Sequence, residues 1–363
     1  MPASRLLPSA AVLGVATLLL SACAGSAGST EDEDASADPS GTLSVITSTD
    51  VYADLVQEIL GETAEVTALV DNPAADPHSY EATPQDRLTV DGADVIVANG
   101  GGYDPFLTRL AATSGKEDAV YQLIEGDNAH VEAEDPQEDS SEEAPAEDAE
   151  DEHAEDEHAE DEHAKDEHAE EDVHEGHDHA GEEESGGFVN EHIWYDLAAM
   201  SDFAQDFSAH MAEVSPENAE LYADNAAALA EEIDALDERN RAIEAEGMSF
   251  LATEAVSQFL LTDAGFEDAT DQQFLAAVEH GDDVSARLYQ QALNAAADQE
   301  IDLLSYNPQT ETNQSAQIRE AAEGADVAVL DFNETIPDEH GSYLEWMEAN
   351  IDAVETVVEE SRG

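Results

Sequence analysis

The chain has 363 residues, enough for about two domains, and sets 89 acidic against 10 basic residues for a formal net charge of −79. A field of that sign repels nucleic acid and anionic lipid headgroups and gathers cations, which excludes a nucleic-acid-binding role. The single cysteine, Cys23, excludes an internal disulfide and any cysteine-based zinc centre.

In chain order, Arg5 and the apolar run "AVLGVATLLL" form a segment of signal-peptide length, too short for a membrane span. It ends in "LSAC", which resembles a bacterial lipobox. Residues 1–22 are therefore expected to be a signal peptide and Cys23 the lipidated mature N-terminus, with residues 23–41 a polar tether. From Thr42 the pattern is globular. "TLSVITS", "AEVTALV", "DVIVANG" and "AVYQL" read as strands, and "DVYADLVQEILG", "PQDRLTVDGA" and "DPFLTRLAAT" as the helices between them. Strand and helix alternate, which predicts a parallel sheet with crossover helices.

Residues 126–187 collapse to Glu, Asp, Ala and His without apolar periodicity and read as a disordered insertion. A helix is predicted over Leu197–Glu213. Ser215 as N-cap and Pro216 at the first helical position then open a second helix of about 30 residues, 215–246, roughly 45 Å long. After Gly247 the alternation resumes: "MSFLAT", "IDLLSYN" and "ADVAVLDF" as strands, and helices in "EAVSQFLLTDAG", "TDQQFLAAVEHG", "DVSARLYQQALNAAADQ", "TNQSAQIREAAEG" and "SYLEWMEANIDAVETVVEE". The predicted fold class is α/β. An N-terminal lobe (42–214) and a C-terminal lobe (247–363), each a parallel sheet with flanking helices, are joined by one long helix, with a cleft between them.

In open α/β sheets, ligands bind beyond the carboxyl ends of the strands. Four donor side chains follow predicted strands or the insertion: His78, His192, Glu254 and Glu334. Two neutral imidazoles and two carboxylates suit a divalent ion and bring the complex to zero charge. The residues alone leave other roles open. His78 is equally a surface residue of a Pro-rich loop, His192 a hydrogen-bonded core histidine, Glu254 a helix-start carboxylate, and Glu334 one acid among many.

Several motifs resemble those of the cluster A-I (ZnuA/TroA-like) substrate-binding proteins of bacterial zinc and manganese ABC importers. "NPAADPHSYEATPQD" is similar to the segment carrying the family's first ligand, a histidine, at His78. "NEHIWYDL" is similar to the second, at His192, but has Glu191 and Leu197 where prolines are usual. "ATEAVSQFLLTDAGF" and "FNETIPDEHGSYLEWM" place Glu254 and Glu334 at the third and fourth, and "SYNPQTET" resembles actinobacterial members. The resemblance implies an extracytoplasmic binding protein, not an enzyme. It would be a monomer held to the outer face of the cytoplasmic membrane by its lipid, handing its ion to an ABC permease and through it to a cytoplasmic ATPase. Glutamate at the third position resembles manganese members. Zinc is the expected ion and manganese the alternative.

The repeat "DEHAEDEHAEDEHAKDEHAE" and the following "VHEGHDHA" supply His153, His158, His163, His168, His174, His177 and His179. A five-residue period steps about 140° around a helix, so successive histidines of the repeat do not share a face. The tract is expected to take several ions weakly, as an accessory to the four-donor site and not as the site itself. A metal-buffering or adhesin-like surface lipoprotein is the competing function. A zinc hydrolase is disfavoured, because four protein ligands leave no open coordination position.

Overall fold

In the computed structural model, residues 42–124 and 190–362 are described; Cys23 and the histidine-rich tract lie outside them. The first lobe holds β1 (Leu43–Thr49), α1 (Asp50–Leu60), β2 (Ala64–Val70), α2 (Pro84–Asp91), β3 (Val95–Gly100), α3 (Pro105–Ser114) and β4 (Val120–Ile124). All four strands run parallel in the order β2-β1-β3-β4. β3 is buried along its whole length, as expected of a strand covered on both faces.

α4 (Leu197–Val214) and α5 (Ala219–Arg241) follow. The second lobe repeats the topology of the first with β5 (Ser249–Ala252), α6 (Gln258–Asp263), β6 (Glu267–Asp268), α7 (Gln272–Glu279), α8 (Ala286–Ala297), β7 (Leu303–Tyr306), α9 (Asn313–Gly324), β8 (Ala328–Asp331) and α10 (Tyr343–Arg362), in the order β6-β5-β7-β8. The expected α/β architecture of two parallel-sheeted lobes is the one observed.

Three local expectations differ. The connecting helix is 23 residues, not about 30. Pro216–Asn218 form a 3-10 turn before it. At its far end Ile243 and Ala245 turn into the core, where the Ala245 N–H donates to the Ala264 carbonyl, 3.2 Å, instead of continuing the helix. The helix predicted from Glu254 begins only at Gln258, because Thr253–Ser257 form a bend. The two-residue edge strand β6 was not apparent from the sequence; it is too short to show periodicity.

One hydrophobic cluster runs through both lobes and the helices between them. Val45, Tyr52, Trp194, Ile233, Phe250 and Trp346 all belong to it. Polar bonds also cross the seam: the Tyr343 hydroxyl donates to the Trp194 carbonyl (2.7 Å) and the Tyr195 hydroxyl to the Asn333 carbonyl (3.0 Å).

The turn after β3 is the tightest point of the first lobe. Gly100, Gly101 and Gly102 all have positive φ (80°, 66° and 111°), and Asp104 accepts the Asn99 and Gly100 N–H groups at 2.7 and 2.9 Å. A Cβ on Gly100 would stand 2.2 Å from the Ile124 carbonyl oxygen. Gly100→Ala is therefore expected to destabilise the fold by on the order of 3 kcal/mol, combining a strained left-handed residue with overpacking against backbone. The midpoint of urea unfolding of the metal-free protein measures it, and an unchanged midpoint contradicts the geometry.

Candidate metal centre

The loop after β2 carries His78. Asp76 Oδ1 accepts the N–H groups of His78 (2.9 Å) and Ser79 (3.3 Å), a local turn that fixes the direction of the imidazole. The loop's far end is pinned by Asp86, which accepts from the Tyr80 hydroxyl (2.8 Å) and from Thr83 N–H (2.6 Å) in the capping box of α2.

His192 precedes a 3-10 turn, Ile193–Tyr195, and is fully buried. Asn190 Oδ1 accepts its backbone N–H at 3.0 Å and lies 2.9 Å from its Nδ1. With the proton held on Nδ1 by that carbonyl, Nε2 keeps its lone pair for a ligand. Asn190 is itself anchored to the second lobe, donating to the Ala255 carbonyl (3.0 Å) and Gln258 Oε1 (3.2 Å).

The second lobe supplies the carboxylates. Glu254 stands in the bend after β5 and Glu334 in the loop after β8; both are buried. Asn307, at the carboxyl end of β7, donates its Nδ2 to both of them, 2.8 Å to Glu334 Oε1, and Thr310 donates to Glu254 Oε2. The Tyr103 hydroxyl, delivered by the glycine turn of the first lobe, donates to Glu334 Oε2 at 3.1 Å. β5 and β7 flank the point where the strand order reverses, the usual ligand crevice of an open α/β sheet.

The structure brings all four expected residues together. One ligand atom from each of His78, His192, Glu254 and Glu334 lies within 4.8 Å of the others. His78 Nε2 is 3.4 Å from His192 Nε2, 3.3 Å from Glu334 Oε2 and 3.8 Å from Glu254 Oε1. On its other side, His78 Nδ1 is 3.2 Å from Glu191 Oε1.

The charges of the cluster are held far from their ordinary balance. Burial pushes the Glu254 carboxyl up to about 7, helped by the negative charge of Glu334. Burial likewise raises Glu191 to about 7. For His78 burial acts downward, but the Glu334 hydrogen bond and the charges of Glu334, Glu254 and Glu279 outweigh it and hold the imidazolium well above the usual range. Burial keeps His192 neutral, its pKa well below the usual value. A dication at the centre would relieve this crowding, because its charge would replace the protons that Glu254 and His78 otherwise retain.

Asn307, Tyr103, Asn190 and Glu191 were not singled out as functional from the sequence. Asn307 falls within "SYNPQTET" at the end of a predicted strand, which is the signal that marks it; the roles of Tyr103 and Asn190 depend on contacts that only the fold creates. His210 instead packs on the Tyr121 ring at 5.2 Å, away from the cluster.

A putative metal-binding protein of Thermotoga maritima is 41% identical over 94 residues, 24% of this chain and 33% of the relative; the chain thus spans about a third of that relative's length. Among solved structures, the binding protein FpvC of Pseudomonas aeruginosa in complex with Mn2+ superposes with a TM-score of 0.62 at 19% identity, covering 88% of this chain and 100% of its own. The periplasmic zinc-binding protein TroA of Treponema pallidum does so with a TM-score of 0.61 at 16% identity, covering 88% and 99%. At those identities the likeness is one of fold. The family model described as zinc-uptake complex component A, periplasmic, matches residues 45–357, and the chain belongs to this ZnuA family.

Proposed function

We propose that the chain is the extracytoplasmic binding component of a metal importer. It captures Zn2+ at His78, His192, Glu254 and Glu334 and delivers it, as a monomer anchored through lipidated Cys23, to an ABC permease coupled to a cytoplasmic ATPase. The observation that carries this reading is the convergence of four donor atoms from both lobes within 4.8 Å. Two neutral imidazoles and two carboxylates then neutralise a dication completely. No nucleophile or open position is needed: the ion is bound and released without chemistry. Imidazole donors favour zinc, whereas the carboxylate pair also suits the harder Mn2+.

The residues outside the described ones, His153 to His179, form in this reading an accessory reservoir. A tract of that composition, without apolar periodicity, offers its ligands no core to preorganise them, which weakens each site. Native mass spectrometry during Zn2+ titration of the full chain and of a variant lacking residues 131–185 tests the division of labour. One tight ion is expected in both, with further weak ions only in the full chain. Loss of the tight ion with the deletion refutes the four-residue site, and tighter retention of Mn2+ than of Zn2+ refutes the choice of metal.

A further inference from the structure

Glu279, the last residue of α7, has no part in the four-donor centre, yet it closes on it. Its Oε1 accepts the Ala255 N–H at 3.1 Å, beside Glu254, while its Oε2 is buried without a hydrogen-bond partner among the described residues. A carboxylate oxygen enclosed in this way is costly unless a cation or proton occupies it. One ligand atom each from Glu279, Glu191 and His78 lies within 4.8 Å of the others, a second constellation that shares His78 with the first. Glu191 is 3.2 Å from Nδ1, whereas the four-donor centre faces Nε2.

His78, Glu254 and Glu279 all line a cavity of about 770 Å³. Asp282, Asp283 and Glu311 line it too, so a cation approaching through it meets carboxylates before it meets the buried histidine, His192.

We propose that Glu279, Glu191 and His78 Nδ1 form a transit position for the divalent ion, occupied on the way into and out of the four-donor centre. This rests on that centre being the resting site. A neutral imidazole offers only one lone-pair nitrogen at a time. His78 therefore serves the two positions in turn: through Nδ1 with the proton on Nε2, then through Nε2, the Nε2 proton being released to water as Nδ1 takes one from water and donates the resulting N–H to Glu191. The shared ring makes the positions successive stations of one ion, and Glu279 and Glu191 are the donors found only at the outer one.

A transit position speaks in rates. Stopped-flow tryptophan fluorescence of the full chain mixed with Zn2+, then with a chelator, reads both directions, because Trp194 stands 5.2 Å from His192 between ring centroids. Glu279→Gln keeps the Ala255 hydrogen bond and removes the charge. It is expected to slow association and release alike, by about tenfold, with the equilibrium affinity within about twofold of the parent. Glu279→Asp should recover part of both rates, which separates the effect from misfolding. Faster release with unchanged association, the mark of a remote charge that merely holds the resting ion, overturns the proposal; so do unchanged rates. His192→Ala in the same experiment tests the resting site independently: a tight fluorescence change that survives it defeats the four-donor reading whatever Glu279 does.

Discussion

His192→Ala is expected to lower the affinity for Zn2+ by more than about 100-fold, beyond the usual effect of losing only an outer hydrogen-bond partner of a ligand. His192 is the cleanest of the four to remove. It is fully buried and neutral, so its loss strands no charge. The neighbours it leaves behind, Tyr103 and Trp194, are held by the Glu334 hydrogen bond and by the core, and offer no replacement donor. Removing Glu334 instead would leave Asn307 and Tyr103 with a donor unpaired, and removing His78 would take away the positive charge that balances Glu254 and Glu334. Both would mix a loss of metal with a loss of fold. Competition against a chelator of known affinity measures the effect, and an affinity within tenfold of the parent sinks the assignment.

The second large effect is expected from pH. Without an ion, Glu254 titrates near pH 7 and His78 above its usual range, so at neutral pH the centre carries protons that a metal must displace. The apparent affinity for Zn2+ should fall by roughly tenfold per pH unit below pH 7 for each proton displaced. Calorimetric titrations in buffers of different ionisation enthalpy count those protons; a count of zero at pH 6.5 contradicts the geometry. The stability of the metal-free fold moves the opposite way. The folded pKa of Glu254 is raised above its unfolded value of 4.5, so the folded state takes up a proton more readily, and its contribution is lost as pH rises from 4.5 through about 7. The raised His78 acts in the same sense: its contribution is complete below 6.5 and is lost as pH rises through its higher folded value. Acidification therefore narrows the difference in melting temperature between metal-loaded and metal-free protein, chiefly by stabilising the metal-free fold.

Much of this was legible in the sequence because the fold is written in short apolar runs. "VITST" and "VIVANG" are too short for buried helices and too apolar for exposed strands, and each ends where a loop must carry polar residues. Three of the four side chains that the structure brings together were marked by the same pattern, since His78, Glu254 and Glu334 follow strands; His192 follows the insertion and was marked by its resemblance to the family's second motif. What escaped was set by tertiary contacts. The C-terminal end of α5 has no Gly or Pro until Gly247, so nothing local announces that Ile243 and Ala245 leave the helix for the core. Glu254 reads as a helix start, yet its carboxylate turns inward to Asn307 and Thr310, and the chain bends to let it. Asn307 stands at a predicted strand end, but its role waits until β5 and β7 lie side by side and place it between two carboxylates.

The hydrophobic cluster that continues from Val45 and Tyr52 through Ile233 to Phe250 and Trp346 makes the two lobes a single thermodynamic body. Cut at α5, each half would expose the apolar face it now shares, and neither would have a complete interior of its own. Heat must therefore dismantle both lobes together. In the proposed function, an ion held at the seam by four side chains would add its binding free energy to the cohesion of the whole body by mass action. Cargo and architecture would in this sense be the same reinforcement: the loaded protein is expected to be the harder one to melt, and the unloaded one the first to yield to a protease.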